Sequence, residues 1–207
     1  MSAEREVAKK LLQIKAIKLS PQKPFTWASG WRSPIYCDNR TLLSFPEVRS
    51  FVVDQFVAAA KKFEPFDAIA GVATAGIPHG ALLADRLASP FVYVRSKAKA
   101  HGRKNRIEGK LDKGQRVLVI EDLISTGGSS IEAVEALREA GAEVVGVLAI
   151  FTYGFDRAVQ TFSEAGCSFE TLSNYEVLLA EAADQKYITT DEQQLLAEWR
   201  KSPETWS

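Results

Sequence analysis

Two adjacent carboxylates, Glu121 and Asp122, are the side chains whose type and spacing most clearly suggest chemistry in this chain. They follow the apolar run Val117–Ile120 and precede the small-residue segment Ser125–Ser130, which reads STGGSS. Such an apolar run is typical of a buried parallel strand, and open α/β sheets bind ligands where these strands end. Paired glycines let backbone N–H groups approach an anion, and a helix amino terminus behind them favours negative charge. The stretch therefore suits a ligand with phosphate and sugar hydroxyls, or a Mg²⁺ ion.

Better-known phosphate loops do not fit this segment. A Walker loop needs a Lys after its last glycine, and none follows Gly127 or Gly128; the dinucleotide fingerprint G-x-G-x-x-G is absent as well. The alternative that remains is an ordinary strand, turn and helix in which Ser and Thr only cap the helix. Because a plain turn rarely needs paired acids and paired glycines together, we favour an anion site.

A second turn bracketed by glycines lies at Gly71–Pro78, which reads GVATAGIP. Its small residues leave backbone N–H groups open to another anion, although a tight turn between strand and helix would show the same pattern. Two anion sites at neighbouring strand ends suit a ligand with a phosphate at one end and a diphosphate at the other.

Positive charge is concentrated between Arg95 and Arg116, in a chain whose formal net charge is zero. This segment has nine Lys and Arg against Glu108 and Asp112, so it carries +7 and the rest of the chain −7. A local basic loop on a neutral protein points to a compact polyanion, not to a long nucleic acid. A solvated surface loop without a ligand is the alternative.

Length and composition indicate one domain of an ordinary globular protein. The chain has 207 residues, 46% of them hydrophobic and 25% charged. No apolar run approaches the ~20 residues that span a bilayer, and residues 1–12 are charged and amphipathic, without a signal-peptide core. Two separate cysteines, Cys37 and Cys167, fit a reducing compartment. We therefore expect a cytoplasmic protein with no membrane partner.

Hydrophobic periodicity and turn residues predict alternating helices and strands. Helices are predicted over residues 5–18, 44–63, 76–88 and 129–140, from about 174, and from a capping-box pattern at Thr190–Gln193; strands are predicted over 67–72, 91–94, 117–120, 144–151 and 168–172. Residues 20–40, rich in Pro, Gly and aromatics, predict a hairpin or loop. The alternation favours a mainly parallel sheet covered by helices on both faces.

Four motifs in this chain resemble those of one enzyme family. Residues 117–130 look like the phosphoribosyl-diphosphate (PRPP) motif of type I phosphoribosyltransferases, and the Gly71 turn resembles their diphosphate turn. Tyr93–Gly102 is similar to the catalytic loop of orotate phosphoribosyltransferases, with matches at Arg95, Lys99 and His101. The stretch Phe25–Arg40 resembles their amino-terminal Ser-Gly-x-x-Ser-Pro signature, which covers the pyrimidine. The motifs occur in the family's order and cover about residues 15–180.

The resemblance implies the type I phosphoribosyltransferase fold, an α/β fold with a central mainly parallel sheet, flanking helices and an amino-terminal hood. It implies a single domain over residues 1–207: an amino-terminal helix and the hood over 1–45, a core over 46–175 and carboxyl-terminal helices over 176–207. The implied reaction joins orotate to PRPP and gives orotidine 5′-monophosphate and pyrophosphate. It also implies a homodimer with shared active sites, and no nucleic-acid partner.

The family's roles map onto particular residues here. As catalytic groups the resemblance implies Lys99, His101, Glu121 and Asp122. Substrate contacts are implied around the turn at Ser125–Ser130 (the phosphate turn), in the turn at Gly71–Pro78 (the diphosphate turn), in the basic loop and in the hood. The residues are Leu123, Ile124, Ser125, Thr126, Gly127, Gly128, Ser129, Ala73, Thr74, Ala75, Arg95 and Tyr36. Mg²⁺ is the implied cofactor, bound mainly through PRPP and in addition by Glu121 or Asp122. A cis peptide is implied at Ala73–Thr74.

Some features depart from the family pattern and leave alternatives open. Ala28 and Ser96 stand where relatives often have Lys, and Lys97 can substitute for the second. The Arg that holds the orotate carboxylate in many relatives has no match, which leaves Tyr153, Arg157, Arg40 or backbone N–H groups. The acceptor base could instead be a purine, or the chain could sense PRPP and regulate through nucleic acid. We read His79 as structural, because no Cys or second His lies near it in sequence.

Overall fold

After the first 45 residues, helices and strands mostly alternate along the described chain, as predicted. The structure is a computed structural model that describes residues 2–27, 30–96 and 106–206. Its helices are α1 (Ala3–Gln13), α2 (Pro46–Ala60), α3 (Gly76–Leu87), α4 (Gly128–Glu139), α5 (Asp156–Glu164), α6 (Tyr175–Asp184) and α7 (Thr190–Lys201). Its strands are β1 (Ile17–Leu19), β2 (Phe25–Thr26), β3 (Arg32–Ser33), β4 (Ile35–Cys37), β5 (Ala68–Val72), β6 (Phe91–Val94), β7 (Ile107–Glu108), β8 (Arg116–Ile124), β9 (Glu143–Thr152) and β10 (Phe169–Asn174). Short 3₁₀ turns cover Asn39–Ser44 and Lys61–Phe63.

The central sheet has the strand order β10-β9-β8-β5-β6-β7 among the described residues. Its pairs are parallel except β6 with β7, so the predicted mainly parallel sheet is confirmed. Alternate side chains of each strand enter two separate cores, as the two-residue period of a strand requires. Leu118 and Ile120 face the core formed with α1, α2, α3, α6 and α7, whereas Val117 and Val119 face the core formed with α4 and α5.

The hood consists of β1 to β4 and packs against the rest of the protein through an aromatic cluster that includes two tryptophans. Strand β1 pairs with β4, and β2 with β3, both antiparallel. The Trp27 indole N–H donates to the Ile35 carbonyl at 3.1 Å, and the Trp199 indole N–H of α7 donates to the Arg32 carbonyl at 3.3 Å. The Tyr153 ring contacts both indoles, 5.2 Å from Trp27 and 5.9 Å from Trp199 between ring centroids, and the two indoles are themselves 5.7 Å apart. One aromatic cluster thus joins the hood, the end of β9 and the last helix.

Three predicted element boundaries were wrong. The helix predicted over 5–18 ends at Gln13, because Lys15 takes a left-handed backbone (φ 58°) and Ile17 then pairs with Cys37 in the hood. The strand predicted to end at residue 120 continues to Ile124, paired with β9. The last capping box uses Thr189 and Glu192, one residue earlier than predicted, with both reciprocal hydrogen bonds formed. Helix α5 was not predicted.

A proline and a glycine mark the ends of two helices. Pro46 begins α2, where its missing N–H costs nothing. Gly141 follows the end of α4 with φ 90°, a backbone conformation that favours glycine. No helix among the described residues is long and apolar enough to cross a membrane.

Candidate active site

The carboxyl ends of two neighbouring strands, β5 and β8, form a crevice. The strands pair in parallel, with Gly71 opposite Ile120. From β5 the chain crosses through α3 to β6 on one side, and from β8 it crosses through α4 to β9 on the other side. The two helices also lie on opposite faces of the sheet. Connections that diverge in this way leave a crevice between strand ends, which is where open α/β sheets bind ligands.

The turn after β8 presents an open helix amino terminus to this crevice. Gly127 has φ 85° and is the N-cap of α4, with no side-chain cap. A Cβ on Gly128 would meet nothing within 4 Å, so the first turn of α4 is unobstructed. Ser125 and Thr126 are half-buried, and Ser129 is exposed. Uncapped first-turn N–H groups with hydroxyls around them form an arrangement suited to a phosphate.

The turn after β5 is similar in role but much tighter. Ala75 is the N-cap of α3, again without a side-chain cap, and Ala73–Thr74 is a cis peptide as the family resemblance implies. A Cβ on Gly76 would lie 2.5 Å from the Ile120 carbonyl oxygen, so only glycine lets α3 begin this close to β8. The two open helix termini therefore lie side by side.

Glu121 is located between the two turns. It is 4% exposed, and its Oε2 accepts from the hydroxyls of Ser129 and Ser130, both at 3.4 Å. Its Oε1 would be 3.4 Å from a Cβ on Gly76 and accepts from the Asp122 N–H at 3.0 Å. Burial, and then the negative charge of Asp122, raise the pKa of Glu121 well above its usual range.

Asp122 is the half-buried member of the carboxylate pair. Burial raises its pKa, while the positive charge of Arg40 acts in the opposite direction. Two desolvated carboxyls in contact favour a ligand that brings positive charge or hydroxyl donors. The ligands predicted for this pair, sugar hydroxyls or a metal ion, would supply such donors or charge.

Asn39 is a site residue that no sequence motif indicated. It is fully buried, and its side-chain Nδ2 donates to the Asp122 backbone carbonyl at 2.7 Å, so the 3₁₀ turn after the hood holds the backbone of Asp122 directly. His79 of α3 lies beside it. Burial lowers the His79 pKa to about 4, against an opposing hydrogen bond with the Asn39 backbone. His79 is thus neutral at pH 7.

The described ends of the basic loop are anchored at the sheet edge. Tyr93 pairs with Glu108 and Val94 with Ile107, and the Arg95 N–H donates to the Arg106 carbonyl at 2.8 Å. The Arg95 guanidinium lies 3.5 Å from Glu108. Lys99 and His101, both predicted to be catalytic, lie outside the described residues.

The other predicted residues occupy different parts of the site. Tyr36 is exposed on the hood, its ring 5.6 Å from that of Phe25. Leu123 packs partly against a core, and Ile124 is 1% exposed, with its carbonyl accepting from Thr152 Oγ1 at 2.9 Å. The side chain of Ile124 therefore faces a core and not the crevice.

A cavity of about 740 Å³ adjoins the crevice on the β9 side. Its walls come from the hood, the phosphate turn, the segment after β9 and the two last helices, represented by Trp31, Thr126, Gly154, Tyr175 and Arg200. The volume falls in the range of small-molecule sites. Among the described residues, no cluster of three or more His, Cys, Asp or Glu side chains is present that could hold a metal by itself.

Fold and crevice together define a phosphoribosyltransferase: residues 56–178 match the family model for the phosphoribosyl transferase domain. The orotate phosphoribosyltransferase of Listeria monocytogenes is 56% identical over 207 residues, which cover 100% of this chain and 99% of the relative. The chain belongs to the orotate phosphoribosyltransferase family.

Two solved structures agree with this assignment. The orotate phosphoribosyltransferase of Aeropyrum pernix superposes with a TM-score of 0.77 at 30% identity, over 88% of this chain and 99% of that one. Leishmania donovani UMP synthase superposes with a TM-score of 0.82 at 32% identity, over 96% of this chain and 42% of that longer one. The type I phosphoribosyltransferase fold expected from the motifs is therefore confirmed.

Proposed function

We propose that this chain transfers the 5-phosphoribosyl group of PRPP to orotate, giving orotidine 5′-monophosphate and pyrophosphate in pyrimidine nucleotide synthesis. The observation that carries the proposal is the position of Glu121 and Asp122 between two uncapped helix amino termini. A ligand with a phosphate, two sugar hydroxyls and a diphosphate carries these groups in the same order as the α4 terminus, the carboxylate pair and the α3 terminus.

Each turn then has a defined part in binding PRPP. Ser125, Thr126 and Ser129, with the backbone N–H groups of Gly127 and Gly128, hold the 5′-phosphate. The backbone of Ala73–Ala75 at the tighter turn holds the diphosphate. Both anions lie at helix amino termini, whose partial positive charge favours them.

The carboxylates act at the sugar between these anions. A ring nitrogen of orotate attacks C1′ as pyrophosphate leaves, and positive charge develops on the ribose. Asp122 and Glu121 accept hydrogen bonds from the ribose hydroxyls and stabilise that charge, and stabilisation of this kind is commonly the largest catalytic contribution. Asn39, in the 3₁₀ turn after the hood, keeps Asp122 in position.

A Mg²⁺ ion fits this donor set. Hard oxygen ligands are those it prefers, and the Glu121–Asp122 pair offers carboxylate oxygens whose charge is otherwise poorly compensated. Asp122, the more exposed of the two, would hold the ion together with PRPP oxygens. When bound, Mg²⁺ would offset the negative charge that builds on the departing pyrophosphate.

The basic loop completes the proposal. Arg95, Lys99 and His101 stabilise the leaving pyrophosphate, and in a homodimer the loop of one subunit serves the partner's site. Closure of the loop over the crevice would keep water from the activated sugar.

Subunit mixing tests the shared site. A Lys99→Ala chain and an Asp122→Asn chain, each nearly inactive, are allowed to exchange. With random pairing in a two-fold dimer about half the dimers are mixed, and each regains one intact site of two, so activity recovers to roughly a quarter of wild type. A mixture that demonstrably exchanges subunits yet stays inactive contradicts sharing.

We extend the proposal to the organisation and location of the chain. Residues 1–45, 46–175 and 176–207 form one catalytic domain, supported by the Trp199 bond to the hood and by the 2.8 Å ion pair between Arg5 of α1 and Glu181 of α6. A cytoplasmic location agrees with the free thiols of Cys37 and Cys167.

A spectrophotometric assay of orotate consumption tests the function. Turnover should require PRPP together with a divalent cation, and a chelator should abolish it. Consumption of adenine or hypoxanthine with orotate untouched would move the chain to the purine branch, and salt-dependent nucleic-acid binding without turnover would indicate a regulatory protein.

A further inference from the structure

Orotate carries a carboxylate on its ring, and a protein that selects it needs a cation where that end of the ring lies. We propose that Arg200, on α7, is the residue that binds this carboxylate, with the ring in the cavity beside the phosphate turn. The inference rests on the proposed function and assigns its base specificity to the carboxyl-terminal helix.

The position of the Arg200 guanidinium supports this role. It lines the cavity together with Thr126 of the phosphate turn and Trp31 of the hood. A Cβ on Gly154 would lie 3.7 Å from its Cζ and Nη2, so the guanidinium packs over the bare backbone that follows β9. The backbone of Gly154 is itself fixed, because its N–H donates to Thr152 Oγ1 at 3.0 Å, and Thr152 also binds the end of β8. Arg200 therefore lies against the segment that follows β9, and the last residue of β9 is hydrogen-bonded to the end of β8, the strand that carries the carboxylates.

The guanidinium is also available for a ligand. Its carboxylate partner, Glu176, lies 3.9 Å away with a side chain that is 85% exposed, and an ion pair this long and this wet contributes little. An Arg has a planar fork of donors, which matches a carboxylate with two parallel hydrogen bonds.

The walls of the cavity suit the rest of the base. Trp31, Phe155, Tyr175 and Leu179 supply aromatic and aliphatic surface, and the Tyr175 hydroxyl is already committed to the Leu196 carbonyl at 2.9 Å. A flat pyrimidine that is apolar on its faces and charged at one edge fits walls of this kind with one cation at the edge.

Other candidates for the carboxylate are less suitable. Arg40 makes two hydrogen bonds to Asp38, at 2.6 and 2.9 Å, so it already has a carboxylate partner. Arg157 lines the same cavity but is 68% exposed and lies 3.7 Å from Glu204. Tyr153 is 2% exposed within the aromatic cluster, and burial raises the pKa of its hydroxyl, which brings no positive charge.

Comparing two nucleotides tests the assignment. Orotidine 5′-monophosphate and uridine 5′-monophosphate differ only by the carboxylate, and their binding to the full chain is measured by calorimetry beside orotate kinetics. Arg200→Gln should remove the preference for the carboxylated nucleotide and raise the orotate KM roughly 10- to 100-fold, with the PRPP KM and kcat within about threefold. Arg200→Lys should restore part of the preference, since the charge remains without the fork.

Arg86→Gln is the matched control, because it removes an exposed guanidinium of α3 that pairs with Asp54 and does not line the cavity. Its nucleotide preference and orotate KM should equal those of wild type. The assignment is overturned if Arg200→Gln keeps the preference, or if Arg40→Gln or Arg157→Gln abolishes it while Arg200→Gln does not. If wild type neither consumes orotate nor prefers the carboxylated nucleotide, the proposed function fails as well. Should Arg200→Gln not fold, a wild-type preference in Arg200→Lys would overturn the assignment.

Discussion

Charged side chains are arranged in opposite ways at the two ends of strand β8: an acid is paired with a base at one end, and two acids are adjacent at the other. At its start, Arg116 meets Asp67 at the start of β5, with its Nη2 2.6 Å and its Nε 3.0 Å from the carboxylate, and this contact lowers the Asp67 pKa to about 2. At its carboxyl end, Glu121 and Asp122 place two acids together and the pKa of each is raised. Charges are paired where they only join strands and left uncompensated where a ligand is to bind, which is a physical signature of a functional site.

Removing the carboxylate at the binding end should have the largest effect on activity. Glu121→Gln keeps the shape of the side chain but loses the charge next to both turns, so kcat should fall about 10²- to 10³-fold. Its melting temperature at pH 7.5 should equal or exceed that of wild type, because a buried charge has been removed. Steady-state kinetics and thermal unfolding measure the two quantities.

Asp67→Asn is the control for this experiment at the other end of the strand. It should lower the melting temperature and leave kcat within about twofold, since Asp67 is remote from the crevice. Equal losses of activity in the two variants would contradict the division between the ends.

A single methyl group should distinguish the two turns. Gly76→Ala places a Cβ against the Ile120 carbonyl, and overpacking of this kind costs about 1–3 kcal/mol of unfolding free energy. The melting temperature should fall by about 2–4 °C per kcal/mol, and kcat/KM roughly tenfold or more, because Glu121 must also shift. Gly128→Ala meets open space and should melt as wild type does. A stable Gly76→Ala variant would mean that the tight turn is not tight in solution.

The phosphate turn should act on binding more than on chemistry. Thr126→Val removes one hydroxyl from the proposed 5′-phosphate cradle, so the PRPP KM should rise roughly tenfold while kcat changes less than about threefold. Initial rates at varied PRPP give both numbers. A lower kcat with an unchanged KM would place Thr126 at the reacting centre instead.

The smallest expected effect is the pH dependence of stability, and its sign differs between the two ends. The pKa of Glu121 is raised on folding, so its contribution is most favourable below its ordinary pKa of 4.5 and is lost as pH rises. The melting temperature of Glu121→Gln should therefore gain on wild type between pH 5 and pH 8. The Asp67 contribution is present above 3.8 and lost as pH falls towards 2, so Asp67→Asn should differ from wild type by a constant amount over the same interval. A flat difference for Glu121→Gln would show that the carboxyl is not desolvated.

Local chemistry made much of the fold and the crevice predictable from sequence. Pro46, Gly127 and Gly141 lie where their own backbone preferences place them, and two glycine-rich turns at strand ends indicated two anion sites. The fold class followed from the alternation of strands and helices. These features depend on neighbours in the sequence, so sequence alone was enough to find them.

Features fixed by distant partners were missed or misplaced. Strand β8 continues through Glu121 and Asp122, against their low strand propensity, because Leu123 and Ile124 pair with Phe151 and Thr152 of β9. Helix α5 was missed although it is amphipathic, with Ala158 and Phe162 buried four residues apart on one face. Thr189–Glu192 and Thr190–Gln193 satisfy the same capping pattern, and only the structure distinguishes them.

The sequence could not pair Asn39 with Asp122, or Arg200 with Gly154, since no local pattern links residues so far apart along the chain.

The aromatic cluster has a consequence for how the protein is made. Trp199 and the hood carbonyl it binds are 167 residues apart, so at ordinary rates of translation the ribosome needs roughly 10 to 30 s to synthesise the intervening chain. During that time Trp27, joined late in the interval by Tyr153, lacks the indole that closes the cluster, and an apolar surface stays uncovered. The hood therefore becomes fully packed only after the sheet and its crevice have been synthesised. Until α7 is made, the apolar surface of the hood strands stays exposed to solvent.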